Sequence, residues 1–135
     1  MIVSVKSRFY RILRRLPPFK ECTQWEELAH LSAKFPLDKS EDLIGVYANV
    51  LGSLNELVVF TSLGVYWWND KGWRSVKYED ISFTEWPDEE MADARVLTLR
   101  LKSGSHEYLP FKNGGLFDAM RFFNRVVEDI RKKQL

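Results

Sequence analysis

The order of two hydrophobic periods constrains this 135-residue chain more than anything else in it. Over residues 43–111, apolar residues alternate in short runs broken by turn-forming residues. From Gly114 onward the period changes to three and four and holds to the C-terminus. The alternating region divides into seven predicted strands, at 43–50, 56–61, 65–68, 73–77, 81–86, 95–101 and 106–111. Asn69-Asp70-Lys71-Gly72 and Ser103-Gly104 read as hairpin turns, because Asn, Asp and Gly tolerate positive φ. Pro87 ends the fifth strand by removing a ladder donor. A set of antiparallel strands followed by one long helix predicts an α+β fold, mainly β: a strongly bent seven-stranded antiparallel sheet or barrel capped by a C-terminal helix.

Facing follows from the same alternation. Leu97, Leu99 and Leu101 share one face, opposite Val96, Thr98 and Arg100; Ile81 and Phe83 share a face with Glu85. Trp67 and Trp68 are adjacent, so one points inward and the other outward. In the helix predicted over 114–133, Leu116, Ala119, Met120, Phe123, Val127 and Ile130 form one apolar stripe, with Phe123 deeply buried. Asp118 in its first turn and Arg131-Lys132-Lys133 in its last suit the helix dipole.

The first 41 residues read as an N-terminal helical extension to a domain over 42–135. Residues 1–20 carry +6 and no acid, which leaves −5 on the remainder of a chain whose total is +1. A basic amphipathic helix is predicted over 4–16, with Val5, Phe9, Ile12, Leu13 and Leu16 on one face and Arg8, Arg11 and Arg15 on another. Pro17-Pro18 stops it. Such a helix either packs its apolar face on the domain or lies on an anionic membrane or a partner, through Arg8, Arg11 and Arg15. A second short helix is predicted over 24–34, opened by the capping-box pair Thr23 and Glu26. Residues 19–41 otherwise link the two parts.

Chemistry is sparse. No His/Cys/Asp cluster has metal-ligand spacing, and Gly114-Gly115 lacks the Lys-Ser/Thr of a phosphate loop. The acids of residues 79–80 and 88–90 read as turn and loop carboxylates. No metal, cofactor or enzymatic activity is expected. The lone Cys22 closes no internal disulfide, and no apolar run approaches the length of a membrane span, so a cytoplasmic location is expected, with peripheral membrane contact through the first helix as the variant. Nucleic-acid binding is not expected, since the strand region is acidic and not basic.

Leu57-Val58-Val59-Phe60-Thr61, then Gly64-Val65-Tyr66-Trp67, then Val76-Lys77-Tyr78-Glu79-Asp80-Ile81-Ser82 resembles bacterial pleckstrin-homology-like domains. The resemblance runs from about Leu43 to Lys133 and implies seven strands, a capping helix and a non-enzymatic module that binds a protein or peptide. Relatives that bind phosphoinositides carry basic residues between the first two strands. Residues 51–55 here have no Lys or Arg, so phosphoinositide binding is not expected.

On this reading the candidate partner-binding residues are Trp86, Asp88, Glu89 and Glu90 at the acidic loop, with Tyr108 and Phe122 along the last strand and helix. The acidic loop also suits a different function, that of a small inhibitor of the immunity-protein type that blocks a toxin or enzyme.

Overall fold

The computed structural model describes residues 5–14, 16–21, 41–49, 56–69, 72–87 and 94–133. The elements are α1 (Val5–Ile12), β1 (Phe19–Glu21), β2 (Leu43–Ala48), β3 (Leu57–Thr61), β4 (Gly64–Asn69), β5 (Gly72–Lys77), β6 (Ile81–Glu85), β7 (Val96–Leu101), β8 (His106–Pro110) and α2 (Leu116–Lys133). All strand pairings are antiparallel, in a five-stranded sheet β1-β2-β3-β4-β5 and a three-stranded sheet β6-β7-β8. The molecule is therefore α+β and mainly β. Seven of these strands and α2 lie where the periodicity places them. The expected helix over 24–34 and the loops 51–55 and 88–93 lie outside the described residues.

Three features differ from the expectation. The strands do not close into a barrel; they part into two sheets at a short 3-10 turn, Tyr78–Asp80, between β5 and β6. An additional strand, β1, follows Pro17-Pro18 directly and pairs Phe19 with Tyr47 and Lys20 with Val46. Of the two placements open to the N-terminal helix, its described part takes the one packed on the domain. Phe9, Ile12, Leu13 and Phe19 belong to the same core cluster as the inner faces of both sheets and α2. The regular helix there is shorter than the predicted 4–16, ending at Ile12 with Leu13 and Arg14 both donating to the Phe9 carbonyl (2.8 and 3.0 Å).

Gly45 explains how that segment gets in. A Cβ at Gly45 would overlap the Phe9 ring and stand 2.7 Å from the Lys20 carbonyl oxygen, so only bare backbone in β2 admits both α1 and β1. Phe9 then meets Phe60 at 5.4 Å, and Phe19 and Phe122 edge-on at 6.3 Å. Arg8 docks the other side of α1 onto α2. Its Nε and Nη2 each donate to an Asp129 carboxylate oxygen at 2.9 Å, a fork-to-fork pair that raises the guanidinium pKa.

The far ends of the two sheets are tied by polar contacts. The Tyr47 hydroxyl donates to the Gly114 carbonyl (2.7 Å) and accepts from the Asn113 N–H (2.8 Å). Asn49 Oδ1 accepts from the Lys112 N–H, and the Asn113 amide donates to the Ala48 and Asn49 carbonyls. An Arg74–Glu107 ion pair joins β5 to β8. The opposite face of the five-stranded sheet carries a second buried cluster of Leu43, Val46, Leu57, Val59 and Tyr66.

Two predictions follow from this packing. Phe9→Ala lowers the free energy of unfolding in urea by about 3–5 kcal/mol, the range for a buried Phe and the range expected for Phe123→Ala. A loss below about 1 kcal/mol would mean that α1 is separable from the core. The second concerns alkaline pH. Burial pushes the Tyr47 phenol from 10.0 up to about 12, against the opposing pull of the Asn113 N–H. The native state thus holds this proton after the unfolded chain has released it. The contribution to stability is whole below pH 10, shrinks as pH rises and is gone above about 12. Unfolding midpoints between pH 9 and 12 fall more steeply for the wild type than for Tyr47→Phe; parallel curves would contradict the assignment.

Candidate functional site: a trough between β6 and α2

Among the described residues β6 is an edge strand: it pairs only with β7, and on its other side stands α2. A β-bulge between Ile81 and Phe83 shapes this edge. Beyond the bulge the alternation slips by one residue, so Ile81 and Thr84 point inward while Phe83 turns out, 52% exposed. Phe83 therefore does not share a face with Ile81, as strict alternation predicts.

Thr84 spans the gap to the helix, its hydroxyl donating to Asn124 Oδ1 at 3.0 Å. On one side of this bridge lies a groove of about 340 Å³ lined by Ser82, Phe83, Asn124, Val127, Glu128, Arg131 and Lys132. On the other side Trp86 and Phe117 lie with ring centroids 6.4 Å apart, 68% and 47% exposed. β6 and α2 thus run in opposite directions, Trp86 beside Phe117 and Ser82 beside Val127 and Arg131. The groove and the aromatic pair thus lie toward opposite ends of the β6–α2 seam, with the Thr84–Asn124 contact between them.

The faces of α2 turned toward the sheets and toward α1 are occupied. Phe123, Met120 and Leu116 face the core, while Phe122 and Val126 are buried as well. Phe122 is expected from the sequence to contact a partner, and that expectation is corrected here. Its ring is fully buried, 5.4 Å from Phe60 and 6.0 Å from Tyr78, because α1 covers that flank of the helix. The apolar surface of α2 is accordingly wider than the single stripe of the sequence pattern.

The remaining sequence candidates are scattered. Trp86 lies at the end of the β6–α2 seam beside Phe117, outside the groove lining. Tyr108 is 57% exposed but sits on β8, two strands away on the outer face of the three-stranded sheet. There an arginine can only donate, so Arg100 Nη1 donates a hydrogen bond to His106 Nδ1 at 3.3 Å. The ring N–H then lies on Nε2 and donates to the Tyr108 oxygen at 2.7 Å. Arg8 is bound to Asp129 inside the molecule, so it is no outward contact. Arg11 is exposed on α1. Asp88, Glu89, Glu90 and Arg15 lie outside the described residues. The structure adds Phe83, Phe117 and Arg131 to the site. Phe117 had a signal in the sequence, as a large apolar residue off the core stripe of its helix.

Glu41, the one buried carboxylate among the described residues, has a structural role. Glu41 Oε1 accepts from the Thr61 hydroxyl at 2.6 Å and Oε2 from the Tyr66 hydroxyl, so both oxygens are engaged, and Tyr78 donates to the Thr61 carbonyl at 2.9 Å. Burial, then the Glu41 charge, raises the Tyr78 phenol well above its ordinary value, so it stays a neutral donor. Among the described residues no group of three or more His, Cys, Asp or Glu side chains could hold a metal ion. No described helix is long and apolar enough to cross a membrane.

Comparison with protein-family models, with curated proteins and with solved structures returned no match, so the trough stands on its own geometry.

Proposed function

We propose that this chain is a non-enzymatic binding module of the pleckstrin-homology-like kind, and that its partner is a protein segment taken in extended form along β6. The observation that carries this is the edge of β6, unpaired on one side among the described residues, beside a groove whose far wall is α2. An edge strand offers a row of N–H and C=O groups that a second chain can satisfy, which gives affinity independent of side chains. The groove beyond it supplies the side-chain contacts that give selectivity, with Phe83 and Val127 as the apolar part and Asn124 as the polar part. In support of the family reading stand seven antiparallel strands followed by one C-terminal helix, in the same order as the resemblance implies. A single cysteine fits a reducing, cytoplasmic setting.

Selection of a random peptide library on the full chain, followed by fluorescence anisotropy of the recovered peptides, tests the proposal. Phe83→Ala should weaken binding on the order of tenfold or more, as expected for an exposed aromatic wall of a groove. Tyr108→Ala and Trp68→Ala, on other surfaces, should leave it unchanged. If Tyr108→Ala abolishes binding and Phe83→Ala does not, the interface is the outer sheet face. A library that yields no binder removes the proposal.

A further inference from the structure

Positive charge gathers on the helical side of this molecule. α1 and α2 together carry eight Lys or Arg and three acids, a surplus of +5. The whole chain totals +1, so everything outside these helices sums to −4. The two helices lie side by side. Arg8 reaches Asp129, Phe9 meets Phe122 and Leu16 stands beside Gly115, so α1 runs antiparallel to α2. We infer that the outward face of this two-helix layer is a second docking surface, and that its partner is a protein with an acidic face, held transiently.

The face is made from one stripe of each helix. On α2, Phe117, Arg121, Arg125, Glu128 and Lys132 are exposed at spacings of three and four, opposite the buried stripe. On the α1 side Lys6, Arg11 and Arg14 are exposed. The Tyr10 ring has Lys6 Nζ at 5.6 Å and the Arg14 guanidinium at 4.8 Å from its centroid. These cation–π contacts restrain both side chains before a partner arrives. The face adjoins the groove beside β6 and shares Glu128 and Lys132 with it, whereas Arg121 and Arg125 lie outside the groove lining.

The pattern of charge selects the class of partner. Asp118 sits beside Arg121 at 3.1 Å and Glu128 beside Lys132 at 3.4 Å. A phosphate backbone or an anionic bilayer presents negative charge without interruption and would meet both acids. A protein face places its carboxylates singly and can pass between them. One turn from Arg121, Phe117 stands with Trp86 as an exposed aromatic pair. Trp and Arg are the side chains that most often dominate protein–protein binding energy, so this pair supplies the apolar anchor. Size sets the lifetime. Phe117 to Lys132 along α2 is roughly 22 Å and two adjacent helices are roughly 20 Å across. That area is about half of the ~800 Å² that each partner contributes to a stable complex. A surface of this extent suits a short-lived complex whose association is speeded by charge.

A labelled helical peptide of about 20 residues, long enough to hold its helix, serves as the probe on the full-length chain. It carries glutamates at spacings of three and four along one face and a Leu at one end. A lysine version, a single-stranded oligonucleotide and vesicles of phosphatidylcholine with phosphatidylglycerol are compared with it. By fluorescence anisotropy the acidic helix should bind at least about tenfold tighter than the lysine version, and more weakly as salt rises. Arg121→Glu and Arg125→Glu together should weaken it at least about tenfold, and Trp86→Ala should weaken it as well. Unchanged melting verifies the fold of each variant, and Arg121→Gln repeats the test without setting a new acid beside Asp118. Phe83→Ala, in the β6 groove, should have no effect. If the arginine variants bind the acidic helix as the wild type does, the inferred face is wrong. If Phe83→Ala abolishes binding and the arginine variants do not, the acidic helix occupies the β6 groove, so this inference fails while the docking function proposed above stands. If the oligonucleotide or the vesicles bind more tightly than the acidic helix, the inferred class of partner is wrong.

Discussion

The contact of the Phe9 ring with the bare backbone of Gly45 is the interaction on which the rest of the architecture depends. It brings α1 down onto β2, and α1 in turn covers one flank of α2 through Phe122 and the Arg8–Asp129 pair. The core takes a second flank through Phe123 and Met120. A helix held on two sides has little freedom to rotate or tilt, so the separation between its third side and β6 is fixed by packing elsewhere. A groove at that seam is therefore a built feature and not slack in the fold. Rigid walls also reduce the ordering cost of taking up an extended partner.

Much of this was legible in the sequence because turn chemistry and period are local properties. Residues such as Gly72, Pro87 and Gly104 punctuate the strands, and the stripe through Leu116, Phe123 and Val127 marks the helix face toward the core. What was not legible depends on contacts between distant segments. β1 has three residues and is a strand only because it lies along β2. Phe122 falls off the single stripe and becomes core through Phe60, Tyr78 and Phe9, the last reaching it across more than a hundred residues of chain. Phe83 is turned outward by a bulge, which shifts every later residue of β6 by one face and leaves no mark in the alternation. The parting of the strands into two sheets at Tyr78–Asp80 is likewise a matter of long-range pairing.

For the site, the sequence picked out Trp86 because a large aromatic just before Pro87 at a strand end has little core to enter. Its neighbour Phe117 and the groove residue Arg131 acquire meaning only when α2 is laid beside β6. Of the two placements the sequence left open for the basic N-terminal helix, Arg8 follows the packed one. Arg8 is engaged internally, and its charge steadies the two-helix layer instead of seeking a surface.

Amide hydrogen exchange of the full chain, with and without a saturating groove-binding peptide, tests the central claim most directly. A segment that extends the sheet at β6 must engage N–H groups of that strand, so the β6 amides should exchange at least about tenfold more slowly when the peptide is bound, while β5 and β8 amides are unchanged. Protection confined to β5 or β8, with β6 exchanging as in the free protein, would contradict the claim.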